Sequence, residues 1–290
     1  MRIIQLSDTH LRGDGKLSFQ KCDTTTNTKR VVEYMCNLPD YDIPEYFVVT
    51  GDLAEGGTRE GLEIVRDLLA ELPRPAYVVP GNHDKRDLYM EIMADNAPIE
   101  KEIAPFVCYS IDDKPIRSIF VDTSIPETHW GGLADEVGDW LEAKLAEDQQ
   151  TPTIVFGHHP PCTTGLPAMD EGFENADRFA KILNSHPNLI YCCGHLHTPF
   201  ITMWRGINIR VCPSVSMQMH VDFREKDGPD VTPEEAADNF KGGGDAFFLA
   251  NPAYYIHNLM GDRINTHYVP INIDPDFSGP WTFKYYEGEY

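Results

Sequence analysis

The sequence predicts an α/β fold with a largely parallel core sheet, on three observations. Seven short apolar, β-branched runs are each bounded by turn residues, amphipathic helical stretches lie between several of them, and no linker-like segment divides the 290 residues. Alternating strands and helices build layered α/β domains, and strands buried on both faces read as continuous apolar runs. A chain of this length can bury one large core and carry an appendage.

The strand runs, in order, are RIIQLS from Arg2, YFVVTG from Tyr46, AYVVPG from Ala76, RSIFVD from Arg117, TIVFGH from Thr153, LIYCCGH from Leu189 and INIRVCP from Ile207. Between the second and third, TREGLEIVRDLLAEL places Leu62, Val65, Leu68, Leu69 and Leu72 on one stripe, with Thr58 as N-cap. ADEVGDWLEAKLAED does the same with Val137, Trp140, Leu141 and Leu145. Beyond residue 215 the texture changes. Residues 218–250 form an acidic, glycine-containing insertion within the single domain 1–290, read as a lid or a solvated loop. Strand-like runs return at AYYIHNLM and INTHYVPINI, followed by an aromatic tail. Insertion and tail offer material for a homo-oligomer interface.

Forty-six acidic against 24 basic residues give a formal net charge of -22. Such a surface repels polyanions, and nucleic-acid binding draws most of its strength from neutralised phosphates. Nucleic acid polymers and anionic membranes are thereby excluded as expected partners, while a small anion remains open to a local cation. No run approaches the roughly 20 apolar residues of a membrane helix, and the first residues lack a secretory signal pattern. Seven cysteines, an odd number without a regular framework, point to reduced thiols. The expectation is a soluble, cytoplasmic protein.

Metal-capable residues cluster at the C-terminal ends of the predicted strands: SDTH (Asp8, His10), TGDL (Asp52), PGNHD (Asn82, His83, Asp84), FGHHPP (His158, His159) and CGHLH (His195, His197). Loops beyond strand C-termini form the usual crevice of an open α/β sheet. Singly, each motif is weak; the ordered set carries the case. In an extended segment His195 and His197 would project to the same side, while Cys192 and Cys193 would face opposite sides and act as small apolar residues.

The order D-x-H, G-D, G-N-H-D, G-H-H, G-H-x-H resembles the calcineurin-like metallophosphoesterase superfamily. Within it, SDTH and HHPP resemble the class III cyclic nucleotide phosphodiesterases and bacterial glycerophosphodiesterases, and SGPW (Gly279, Pro280, Trp281) favours the latter. The resemblance implies a four-layer α/β/β/α sandwich and two divalent transition-metal ions, manganese, iron, zinc or cobalt. One would be held by Asp8, His10 and His197, the other by Asn82, His158 and His195, with Asp52 between them. Ions about 3.5–4 Å apart could deliver hydroxide to a small phosphodiester. The resemblance also makes His83 the residue that stabilises charge or protonates the leaving group. Asp84 would orient an imidazole, or alternatively cap the helix at KRDLYMEIM. Asn82 and His220 are candidate substrate contacts. His159 is read as a supporting residue, His129 has either role open, and Asp122 and Ser124 either touch the site or cap a turn. Related glycerophosphodiesterases tend to carry a pocket histidine where this chain has Met217, before Gln218. A phosphomonoesterase or pyrophosphatase with the same centre, and a non-catalytic scaffold, are the competing functions.

Overall fold

The computed structural model describes residues 1–18, 21–112, 115–167, 169–221, 223, 247–248 and 250–272. Most of the acidic insertion, and SGPW with the aromatic tail, lie outside the described residues.

In chain order the strands are β1 (Arg2–Leu6), β2 (Tyr46–Thr50), β3 (Ala76–Val79), β4 (Tyr109–Ile111), β5 (Arg117–Phe120), β6 (Gly131–Gly132), β7 (Thr153–Phe156), β8 (Phe173–Glu174), β9 (Leu189–Cys193), β10 (Phe200–Trp204), β11 (Ile207–Val211), β12 (Gln218–Met219), β13 (Phe247–Phe248), β14 (Ala253–Met260) and β15 (Arg263–Pro270). The helices are α1 (Thr24–Cys36), α2 (Arg59–Ala70), α3 (Arg86–Ile92), α4 (Asp135–Glu147) and α5 (Ala176–Leu183).

Two mixed sheets stack, rather than one parallel sheet. One runs β15-β14-β1-β2-β3, the other β10-β11-β9-β7-β5-β4. The seven apolar runs are strands of these sheets; β1-β2-β3 and β11-β9-β7-β5 pair in parallel. Antiparallel β14–β15, β4 and β10 are added at the flanks. Buried polar bonds join the two sheets face to face: Gln5 Nε2 donates to the Cys193 carbonyl at 3.0 Å, and Tyr46 and Ser118 hydroxyls meet at 2.7 Å.

Helices complete four layers. The predicted stripe of α2 is buried, and the Thr58 hydroxyl accepts from Gly61 N at 3.3 Å, capping it as its sequence position requires. This helix and α1, with Val31, Val32 and Met35, share one apolar cluster with β1, β2 and β3. On the other side Val137, Leu141 and Leu145 of α4 pack with Phe179, Ile182 and Leu183 of α5 against the second sheet. Burying each leucine contributes about 1.5–3 kcal/mol, so each helix is held by its stripe. Period-two alternation separates the paired cysteines as expected: Cys192 lies in the cluster between the sheets and Cys193 in the cluster under α4 and α5.

Candidate metal centre

The parallel strands β1, β2, β3, β5, β7 and β9 all end at one edge of the sandwich, and every predicted ligand follows one of those ends. The backbone there is unusual. Asp8, His10, Asp52, His195 and His197 have φ of 54°, 43°, 51°, 73° and 55°, in the left-handed region that non-glycine residues avoid. Five of the seven expected ligand positions are thus strained, a condition that persists only where surrounding bonds enforce it. Those bonds are present. His10 N donates to the Asp52 carbonyl at 2.9 Å, and the Ser214 and Ser216 hydroxyls hold the Asp8 carbonyl at 2.8 and 2.9 Å. His195 and His197 are left-handed rather than extended, and their ring nitrogens meet different partners, Asn82 and His10 respectively.

Two donor sets result. His10 Nε2 lies 2.9 Å from His197 Nε2 and 3.5 Å from Asp52 Oδ2, and His197 Nε2 is 3.5 Å from Asp8 Oδ1. In the other set Asn82 Oδ1 is 3.2 Å from His158 Nε2 and 3.1 Å from His195 Nδ1. Asp52 Oδ2 also stands 3.3 Å from His158 Nε2, so one carboxylate oxygen faces both sets. Atoms bound at about 2.0–2.2 Å to one ion sit roughly 3–3.5 Å from each other, which is the spacing observed. Facing imidazole nitrogens and carboxylates without thiolate suit a borderline transition-metal ion, so the residues fit two such ions. The nitrogens of His158, His159 and His195 also converge; His159 Nδ1 is bonded to the Thr123 hydroxyl at 2.9 Å, while its buried Nε2 has no hydrogen-bond partner among the described residues. The Asn82 amide, placed between His158 and His195, belongs to the same second set.

Protonation follows from burial and neighbours. Burial pushes His195 down to about 3, helped by His158, and pushes His197 down as well, so both are neutral donors. Burial works against ionised Asp52, but His158, His83 and His10 override it and hold the carboxylate well below its ordinary range. Burial lowers His158 too, yet Asp52 and Asp8 raise it to about 9; burial raises Asp8 to about 6. The metal-free centre is therefore a mixture of charged and neutral groups, and an ion must displace the His158 proton.

His83 lines the cavity over the donor sets, with its backbone N–H donating to Asp52 Oδ1 at 2.9 Å. The Asp84 carboxylate accepts from the backbone N–H of Leu53, Ala54 and Gly81 at 3.0–3.2 Å, tying the loop after β2 to the loop after β3. It neither bonds an imidazole nor caps α3, whose cap residue is Lys85. His129 lines the cavity, whereas His220 is exposed and outside its lining. Asp122 pairs with Arg86 at 2.8 Å and accepts from Ser124, a turn-capping arrangement.

Sequence reasoning missed Glu55. It follows Asp52 by three positions in a glycine-containing turn, and its carboxylate reaches His10 Nδ1 at 3.0 Å and His83 Nδ1 at 3.3 Å. An acid beside the GD motif was the only available signal.

Residues 1–199 match the sequence family described as calcineurin-like phosphoesterase. The chain is 31% identical over 288 residues to the glycerophosphodiester phosphodiesterase GpdQ of Enterobacter lignolyticus, covering 98% of this chain and 95% of that one. It is 26% identical over 220 residues, 75% of this chain and 77% of the relative, to the 3',5'-cyclic adenosine monophosphate phosphodiesterase CpdA of Escherichia coli. Among solved structures, GAP50, the anchor in the inner membrane complex of Plasmodium, superposes with a TM-score of 0.56 at 16% identity, over 95% of this chain and 90% of that one; the likeness is one of fold.

Proposed function

The chain belongs to the calcineurin-like phosphoesterase family, and from that premise we propose that it is a metal-dependent phosphodiesterase of small diesters. Glycerophosphodiesters and cyclic nucleotides, the substrates named for its relatives, are the first to test. The observation that carries the proposal is the pair of donor sets sharing Asp52 Oδ2.

When bound, two divalent ions supply Lewis acidity to a phosphoryl oxygen and a nucleophile from water near neutral pH. Asp8, His10 and His197 would hold one, Asn82, His158 and His195 the other, with Asp52 serving both. Manganese, iron, zinc and cobalt all suit these donors. Two such ions less the charges of Asp8 and Asp52 leave about +2 at the floor of an acidic protein, enough to draw a small phosphoanion. His83 is assigned the protonation of the departing alkoxide or the stabilisation of charge beside it. In the metal-free protein burial lowers its pKa, but Asp52 and Glu55, with Asp84, hold it up at about 9.

A diester rather than a monoester is favoured by the cavity lining. Among the described residues, neither lysine nor arginine lines it. Of the cations near the motifs, Arg12 is paired with Asp14 and Arg86 with Asp122, and Lys85 is exposed and outside this lining. A monoester's second charge would find Glu55 and Glu171 instead of a guanidinium.

All seven cysteines are free, which supports a reducing, cytoplasmic setting. Among the described residues no helix is long and apolar enough to cross a membrane.

Protein loaded with manganese or cobalt should release nitrophenolate from bis(p-nitrophenyl) phosphate much faster than from p-nitrophenyl phosphate. Asp52→Ala and Asn82→Ala should abolish that turnover. Undiminished turnover in both variants would reject the assignment, and a preference for the monoester would favour the phosphatase alternative.

A further inference from the structure

The cavity above the donor sets encloses about 410 Å3 and has two unlike sides. Its floor is the histidines, Asp52 and Asn82. Met169, Met217, Met219 and Phe247, three thioethers and a phenyl ring, form an apolar wall, and the carboxylates of Glu55 and Glu171 complete the lining. Met217 is fixed close to the centre, since its carbonyl accepts from His197 Nδ1 at 3.2 Å while its side chain is buried.

Across His195 and Met169 lies an adjoining hollow of about 230 Å3, lined by Trp130, Phe173 and Trp204 among others. Its indoles are braced. Trp130 Nε1 donates to Glu174 at 3.3 Å, and the Arg205 guanidinium sits 5.1 Å over the Trp204 ring. The polar groups bordering it include His159, Thr163, Asp170, Glu171, His195 and Arg205. Asp170 is engaged by Thr164 and Gly165, and Arg205 by Asp177.

We infer that the methionine wall and the aromatic hollow form one specificity subsite for an uncharged, apolar ester arm, alkyl or aryl, of the diester substrate. The inference rests on the phosphodiesterase assignment above. The phosphoryl group belongs to the polar floor, so an arm leaving it toward Met217 and Met169 meets carbon and sulfur. Thioethers accommodate arms of several shapes because they are unbranched and polarisable. A polyol arm would bury hydroxyls mainly against thioether and aromatic carbon, with only the bordering polar groups to pair them, which is costly. An anionic arm would meet the carboxylates of Asp170 and Glu171.

The test uses the manganese-loaded protein and p-nitrophenyl phosphodiesters whose second arm is methyl, butyl, phenyl, glyceryl or 2-aminoethyl. Burial contributes about 0.8 kcal/mol per methylene, a factor of about four, so kcat/KM should rise roughly ten- to fiftyfold from methyl to butyl. Phenyl should exceed methyl, and glyceryl should stay near methyl. The butyl-to-methyl ratio should fall toward unity in both Met217→Gln and Trp204→Ala, each checked for metal content and thermal unfolding. Calorimetric binding of dibutyl against dimethyl phosphate gives the same comparison without turnover and should favour dibutyl phosphate by a similar factor.

A flat series, a preference for the glyceryl or 2-aminoethyl arm, or a ratio that survives both substitutions would overturn the subsite. Absence of turnover for every ester, with dibutyl phosphate still preferred in binding, would overturn the phosphodiesterase assignment and leave the apolar subsite standing. Equal binding of the two phosphates would overturn the subsite itself.

Discussion

Glu55 holds His83: a carboxylate oxygen lies 3.3 Å from His83 Nδ1, while the other oxygen lies 3.0 Å from Nδ1 of His10, whose Nε2 faces the first donor set. A carboxylate behind a ligating imidazole fixes its tautomer and raises its basicity. Burial alone would raise Glu55, but bonds from His10 and His83 hold it well below the ordinary carboxylate range. Glu55→Gln is therefore expected to weaken binding of one ion by roughly ten- to a hundredfold and to lower the His83 pKa from about 9. Metal titration and the imidazole proton resonances of the metal-free protein read the two effects separately. Unchanged values for both would remove Glu55 from the centre.

Metal binding should depend on pH with a defined sign. In the metal-free protein His158 is raised to about 9, so an ion arriving at lower pH must expel its proton. Apparent affinity should rise with pH up to about 9, with proton release detectable in weakly buffered solution. The same shifts set stability without metal. A histidine whose folded pKa exceeds its unfolded value of about 6.5 stabilises fully below that value and loses the contribution as pH climbs. Between pH 6.5 and 9 the metal-free protein should become less stable as His83 and His158 deprotonate, and added metal should flatten that decline. Chemical denaturation across that window, with and without manganese, measures it.

The strands that position the centre were legible because each is an uninterrupted apolar run ending in a polar motif, as in Thr153–Phe156 before His158. Their division into two sheets was not, since pairing depends on which antiparallel strands flank them. β10, Phe200–Trp204, is an edge strand that exposes Ile201 and Met203, and its sequence gives no warning of either. Helix α1 was obscured by a threonine-rich first half; its buried apolar residues begin at Val31. Within the centre, the donor types and their order were visible, whereas the left-handed backbone at Asp8, His10 and Asp52 was not. Aspartate and histidine enter that region more readily than most side chains, but only the tertiary bonds decide at which positions they do. Glu55 and the methionine wall were hidden for a related reason: Met169 and Met217 lie far apart in sequence and meet only over the folded floor.

Asp84 gives a prediction about loop positioning rather than proton transfer. Its carboxylate gathers three backbone N–H groups from the loops that carry Asp52 and Asn82. Burial and the nearby Asp52 raise its pKa to about 6, so at pH 7 it is largely ionised and acts as an acceptor alone. Asp84→Asn would turn an amide donor toward one of those N–H groups. Leaving a buried donor unmatched costs about 1–3 kcal/mol, so the metal-free variant should unfold earlier by that amount. Binding of both ions should weaken, because Asp52 and Asn82 serve different sets. A melt indistinguishable from wild type would show that other bonds hold the two loops.

Gly51 tests whether the second donor set depends on close backbone packing. Its φ is +87°, and a Cβ there would collide with the His158 ring and lie 2.9 Å from Gly81 N. Gly56, also left-handed at +65°, has open space where a Cβ would go. Alanine at either position incurs the left-handed backbone penalty of roughly 1–2 kcal/mol, but only alanine at 51 must push an imidazole aside. Gly51→Ala is therefore expected to lose the ion held by Asn82, His158 and His195 while Gly56→Ala keeps both. Elemental analysis of the purified variants should give about one and about two ions per chain respectively. If Gly51→Ala retains two ions, His158 is not confined by the loop after β2, and the position of that donor would have to be set by its hydrogen bond to the Thr50 carbonyl alone, at 2.6 Å.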